Sequence, residues 1–224
     1  MLNSFFSKCG PGVVLSLFGL LAVHAAQAQV TALDRQLNRI DVAVSADGLI
    51  TKGVAGNNYL SDTVTQNAST TVGALVQIRY TKSPLIGFEG TYSYARFTEN
   101  YQCPSCSATN FPTSPFGAQT NASEYSLGYV AHLPSLFGFQ PFAGGGAGTT
   151  AFKPTPLGGL GLPEKARATY YYDVGMEDQL TRLFGVRAQF RQAFYKAPDF
   201  GQNYLTINKQ TFTTEPSIGF FVKF

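Results

Sequence analysis

Ile86-Gly87-Phe88-Glu89-Gly90-Thr91-Tyr92-Ser93-Tyr94 alternates without a break. Ile86, Phe88, Gly90, Tyr92 and Tyr94 share one face, and Gly87, Glu89, Thr91 and Ser93 share the other. A period of two is the mark of a strand with an apolar side and a polar side. The pattern repeats in both directions along the chain. Val72, Ala74, Val76, Ile78 and Tyr80 stand against Gly73, Gln77 and Arg79; Tyr125, Leu127, Tyr129 and Ala131 stand against Glu124, Ser126 and Gly128. Phe184, Val186, Ala188 and Phe190 stand against Gly185, Arg187, Gln189 and Arg191. No helical stripe of any length interrupts the series.

Extended over the chain, this reading predicts eight strands, at about 40–50, 68–80, 85–97, 121–132, 139–150, 166–177, 183–195 and 209–224. The connections sort by length. Those at 81–84, 133–138 and 178–182 are short; those at 51–67, 98–120, 151–165 and 196–208 are long and rich in Asn, Gly, Pro, Ser and Thr. Strict alternation of long and short predicts an all-β, eight-stranded antiparallel up-and-down transmembrane β-barrel, with four long extracellular loops and three short periplasmic turns. A soluble sandwich has no reason to sort its loops this way.

Composition narrows the classes further. Of 224 residues, 44% are hydrophobic and only 13% charged, so disordered and coiled-coil chains are excluded. A net charge of +3 is too small for a nucleic-acid partner. Outside the N-terminal segment no apolar run reaches the length of a membrane helix. An eight-stranded barrel is only wide enough for its own side chains. The large aromatic residues are therefore expected to face outward into lipid, and the small and polar ones inward.

The N-terminus reads as an export signal. Lys8 precedes the apolar run Val13–Val23, and Ala26-Gln27-Ala28 is a small-x-small cleavage site. The expected division is a signal peptide at 1–28, a short periplasmic segment at 29–39 and the barrel at 40–224. The C-terminus reads Ser217-Ile218-Gly219-Phe220-Phe221-Val222-Lys223-Phe224. Ser217, Gly219, Val222 and Phe224 resemble the outer-membrane assembly signal of Gram-negative bacteria. With the strand pattern, they make the chain resemble the small outer-membrane β-barrel family, which includes the OmpA transmembrane domain, OmpX and the opacity proteins. The resemblance implies residence in the cell outer membrane, contact with outer-membrane lipid, recognition by the barrel-assembly machinery, and a monomer. It also implies a non-enzymatic structural or surface-binding role with an unknown extracellular ligand. A small porin-like channel and a lipid-modifying barrel enzyme are the alternatives. Pro216 stands against the barrel, because inside strand eight it removes one ladder hydrogen bond.

Few residues suggest chemistry. Arg187 and Arg191 are expected inside the lumen with Glu89 and Glu215 as partners, and Asp173 as a further one; Glu215 is expected opposite Gln189. Such a network is first a structural device, since buried charges need partners; a gated pore or proton path is the sharper alternative. Cys103 and Cys106, in the 98–120 loop, are the only cysteines after the signal segment and are expected to pair in an oxidising compartment. A zinc site there would need two more ligands, and no His is near. His132 is expected at the periplasmic rim, followed by Leu133-Pro134 and not by a Ser two residues on, unlike the His and Ser used by barrel enzymes that acylate or deacylate lipid A. The Gly144–Gly148 run has no following Lys or helix to make a phosphate cradle. No cofactor and no metal are expected. Tyr101, Phe111 and Phe116 are expected in the longest loop, either as exposed contact anchors or packed over the barrel mouth.

Overall fold

The computed structural model describes residues 36–106 and 115–224. Ala26 and Ala28, with the whole segment 1–28, and also Phe111, lie outside the described residues. Ten strands follow in chain order: β1 (Ile40–Thr51), β2 (Val54–Asn57), β3 (Thr63–Ala68), β4 (Thr71–Ser83), β5 (Ile86–Gln102), β6 (Phe116–His132), β7 (Gln140–Pro154), β8 (Lys165–Asp178), β9 (Phe184–Lys196) and β10 (Gln210–Lys223). Eight of them form an antiparallel ring in the order β1-β4-β5-β6-β7-β8-β9-β10. The first strand returns to the last from Asp41↔Lys223 to Thr51↔Thr213, which closes the barrel. Closure gives every wall strand two partners and leaves no free edge, the condition for β structure in hydrocarbon.

The pleat sends the apolar side outward. Val72 is 72% exposed and Leu127 76%, and Ile78, Phe88, Tyr125, Tyr170, Val174 and Phe220 are exposed with them. Each large apolar side chain left in water forgoes about 1.5–3 kcal/mol of burial. A continuous exterior of this kind is stable only against lipid.

The faces change character partway up β5. Below Tyr94 the outside is apolar; above it the outward residues are Arg96, Thr98, Asn100 and Gln102, while Phe97 and Tyr101 point inward and are buried. The strand therefore runs past 97, out of the lipid zone, and β6 answers it from Phe116 (Asn100↔Gly117, Tyr101↔Phe116). The expected 98–120 loop shrinks to 103–115. The expected 51–67 loop holds a hairpin, β2–β3, whose second strand pairs with the top of β5 (Thr65↔Gln102, Ala68↔Glu99). Alternation between polar residues carries no hydrophobic signal, so pattern reading missed both.

Pro216 interrupts one seam without opening the ring. Asp47↔Ser217 and Ile50↔Thr214 pair in the same register, and the two pairs between them are missing from the β1–β10 ladder. The ring of Pro216 faces outward, where Gly48 opposes it with no side chain.

Candidate functional site

The lumen is filled in two layers. The lower layer is ionic. Arg79, Arg187 and Arg191 are fully buried, and their guanidinium groups stack on inward aromatic rings: Arg79 on Phe142 at 4.1 Å, Arg191 on Tyr171 at 4.2 Å, Arg187 on Phe221 at 5.0 Å. Arg191 binds both Glu124 and Glu215. Arg187 binds Asp41 at 2.7 Å and Glu177 at 3.0 Å. Arg79 binds Glu89, with Asp173 at 3.4 Å and Glu177 at 3.6 Å. The arginines and carboxylates together come from seven different strands, so the network ties the wall across its diameter.

The structure redistributes the expected pairs. Arg191 and Glu215 do meet, but as direct cross-strand neighbours; Ser217, not Glu215, faces Gln189. The expected register was two residues off because the connection between β9 and β10 lies one residue later than expected, at 197–209 instead of 196–208, with the same length. Glu89 goes to Arg79 on the adjacent strand rather than to Arg187 or Arg191. Asp41, Glu124 and Glu177 were missed, although their places on inward faces follow from the alternation. Large aromatics also enter the lumen, contrary to expectation. Tyr171 fits because Gly128 and Gly146 lie beside it; a Cβ on Gly128 would meet the tyrosine oxygen at 2.2 Å.

The upper layer is apolar. Leu49, Phe97, Tyr101, Phe152 and Tyr195 converge below the loop end and pack with Val64 of the hairpin and with Phe200, Leu205 and Ile207 of the connection between β9 and β10. The Tyr101 hydroxyl donates to the Pro198 carbonyl at 2.7 Å, and its ring stacks on Phe116 at 5.2 Å. Tyr101 and Phe116 thus pack over the mouth and are not exposed anchors. Asp199 pins the same connection, binding Arg167 at 2.7 Å and accepting from the Gly201 amide and the Thr206 hydroxyl. Burial raises its carboxyl, but those donors outweigh it and hold the group below its ordinary value. Between the layers, the void lined by Phe97, Glu124, Phe152 and Glu215 measures about 20 Å³, room for one water.

Cys103 and Cys106 are joined as a disulfide. The Asn58 side chain braces this knot: its oxygen accepts from the Leu60 and Asp62 amides at 2.9 and 3.0 Å, and its nitrogen lies 3.9 Å from the Cys106 sulfur. Donor atoms of Asp62, Cys103 and Cys106 lie within 4.8 Å of one another, but the sulfurs are committed to each other. At the opposite mouth a cavity of about 460 Å³ is lined by Arg39, Asp41, His132, Ser135, Glu177 and Lys223, among others. His132 sits there with Nε2 3.0 Å from Glu177, and its Nδ1 has no hydrogen-bond partner among the described residues. The glycine run lies on the β7 wall, where Gly144 and Gly146 make room for Asp173 and Tyr171. In the assembly segment Ser217 is buried, Val222 and Phe224 face outward, and Gly219 lies against the backbone of Val44.

No protein-family model matches the chain, and no curated protein matches it. Solved structures do. The outer membrane protein OprG from Pseudomonas aeruginosa superposes with a TM-score of 0.59 at 11% identity, over 83% of this chain and 95% of OprG. Neisserial surface protein A superposes with a TM-score of 0.50 at 12% identity, over 82% of this chain and 97% of that one. This chain has the fold of the small eight-stranded outer-membrane β-barrels.

Proposed function

We propose that this chain is a non-enzymatic outer-membrane protein that binds an extracellular ligand through its loop crown. One observation carries the reading: the lumen is blocked twice, while the crown presents apolar side chains to the medium. The exposed set differs from the expected one. Tyr59 and Leu60 stand at the tip of the β2–β3 hairpin, and Leu157 and Leu160 on the connection between β7 and β8; Leu157 is 101% exposed. Exposed aromatic and aliphatic residues on braced loops suit contact anchors. The disulfide, Asn58 and the Asp199–Arg167 pair fix the loop bases, which lowers the ordering cost of binding.

A lipid-modifying reaction finds no support at His132, whose Nε2 faces a carboxylate and to which no hydroxyl is hydrogen-bonded among the described residues. Replacing Tyr59, Leu60, Leu157 and Leu160 with Ser tests the proposal. Cells displaying the variant should lose the ligand that cells displaying the parent capture, with assembly unchanged. Undiminished capture would move the site elsewhere. Turnover of lipid A by the purified parent would replace the reading with an enzymatic one.

A further inference from the structure

The turn end of the barrel is apolar where a surface in water should be polar. Each of the three turns carries exposed large residues: Leu85 on the first, Leu136 and Phe137 on the second, Leu180 and Leu183 on the third; Phe224 stands beside them. Phe137 is the extreme case. It is 93% exposed and occupies, with Gly138, a two-residue turn in which both have positive φ, +53° and +89°. Leu136 and Phe139 close that turn with hydrogen bonds of 2.8 and 3.0 Å. Asn-Gly is the sequence that suits such a turn; a bulky aromatic in the left-handed region is strained there. A strained residue that also exposes its whole ring to water needs a reason outside the turn itself.

Two further observations identify what covers it. The apolar rim continues the lipid-facing belt without a break, through Phe184 and Phe220, whose rings stack at 5.4 Å on the exterior above it. Basic residues are interleaved with it. Lys82 and Arg182 are exposed between the apolar turns, and Arg39 and Lys223 line the mouth, against one carboxylate among the described residues, Asp178, that is not paired within the lumen network. Apolar rings with adjacent cations fit a leaflet edge, where acyl chains give way to phosphate.

We propose that the three turns form an annular anchor that sits in the headgroup zone of the periplasmic leaflet and selects anionic phospholipid. The anchor rests on the outer-membrane reading above. It fixes the depth of the barrel, with Phe137, Leu136 and Leu183 in the acyl boundary and Lys82 and Arg182 on lipid phosphates. The periplasmic turns are then part of the membrane contact, and only the central mouth faces water.

The chain contains no Trp, so a single introduced Trp reports its own surroundings. Phe137→Trp and, on a different turn, Leu183→Trp would be placed in vesicles of phosphatidylcholine and phosphatidylglycerol, with bromine on the acyl chains of one lipid at a time. Leu127→Trp, in the middle of the belt, is the reference. The anchor requires blue-shifted emission from both turn positions, strong quenching by brominated lipid and weak quenching by acrylamide. Quenching should favour brominated phosphatidylglycerol by about fivefold, the Boltzmann factor of one basic side chain at an anionic surface. Lys82→Gln with Arg182→Gln should abolish that preference and leave the depth unchanged. Water-like emission from both turn positions, with Leu127→Trp still quenched, would overturn the anchor and hand the rim to a periplasmic protein or a second copy. Equal quenching by both lipids would overturn the anionic selectivity. Loss of quenching at Leu127→Trp as well would instead sink the membrane reading on which the anchor rests.

Discussion

At the scale of single residues, Arg191 and Glu99 make the sharpest cases. Arg191 neutralises two carboxylates, Glu124 and Glu215, inside a closed wall. Removing one member of a buried ionic group leaves the others uncompensated, at a cost of about 3–5 kcal/mol. Arg191→Met should therefore lower the urea midpoint of the refolded barrel strongly. Arg191→Met combined with Glu124→Gln and Glu215→Gln should recover most of the loss, because neutral amides carry no unpaired charge. A triple variant no more stable than the single one would show that the ion pairs are not what Arg191 contributes.

Glu99 lies on β5 above the apolar belt, fully buried, with one carboxylate oxygen accepting from the Gln66 amide at 2.8 Å and the other unpartnered. Burial pushes its carboxyl up to about 7, with the Gln66 donor pulling the other way. A raised acid is favoured in its protonated form by the fold. The stability it lends is complete below its ordinary value of 4.5 and is lost as pH rises through about 7. Tyr101, beside it, is pushed up by burial and titrates outside this window. The barrel should accordingly unfold at lower urea at pH 8 than at pH 5, and Glu99→Gln should flatten that dependence. An unchanged slope in the variant would assign the pH effect to another group.

At the scale of elements, the wall was legible and the cap was not. Val72 to Tyr80, Tyr125 to Ala131 and Phe184 to Phe190 announce their strands because lipid outside and polar packing inside write a period of two. Above Tyr94 that contrast inverts and weakens: past residue 97 the outward Thr98 and Asn100 look like a loop, and the inward Tyr101 looks like an exposed anchor in a linear reading. The hairpin at Val54–Ala68 has the same difficulty, since in β3 Val64 is the lone large apolar residue among Thr63, Thr65, Gln66 and Asn67. Arg191 does pair with Glu215, but the partner of Glu89 escaped the sequence for a different reason. Faces follow from parity, but setting Arg79 opposite Glu89 requires the register of the β4–β5 hairpin, shifted by an irregularity between Thr81 and Ser83, which alternation does not encode. The cap makes its own prediction. Tyr101 contributes a hydroxyl bond to Pro198 and ring contacts to Phe116 and Phe200. Tyr101→Ala should cost about 3–5 kcal/mol, typical of a buried aromatic truncation. It should also open the 197–209 connection to protease on intact cells while the transmembrane part stays resistant. Unaltered protease resistance would mean that the cap is held by the disulfide knot alone.

At the scale of the whole molecule, the closed ladder and the two-layer plug make separate statements. Closure predicts that unboiled protein migrates faster than boiled protein in detergent gels, because every wall strand keeps both neighbours until heat breaks the ring; identical migration would contradict the β1–β10 seam. The plug predicts electrical silence. An ion entering from the turn side reaches the cavity at the mouth and then meets Arg187, Arg79 and Arg191 with their carboxylates, packed on Phe142, Tyr171 and Phe221. Passing that layer would separate paired charges at low dielectric, which costs several kcal/mol for each pair. Beyond it stand Phe97, Phe152 and Tyr195 with a void for one water, so a hydrated ion would have to shed its shell against aromatic rings. Neither layer alone is decisive, since ionic networks can rearrange and small voids can fill. In series they oppose conduction by different physics, and a single side-chain movement opens at most one of them. Purified wild-type barrel in a planar bilayer should show no steady openings. Phe97→Ala with Phe152→Ala should remain silent as well, because the ionic layer persists, and silence should end only when Arg191→Ala is added to remove part of that layer too. Steady conductance from the wild-type protein would mean that both layers move together, and the crown would then be the gate of a channel instead of a binding surface.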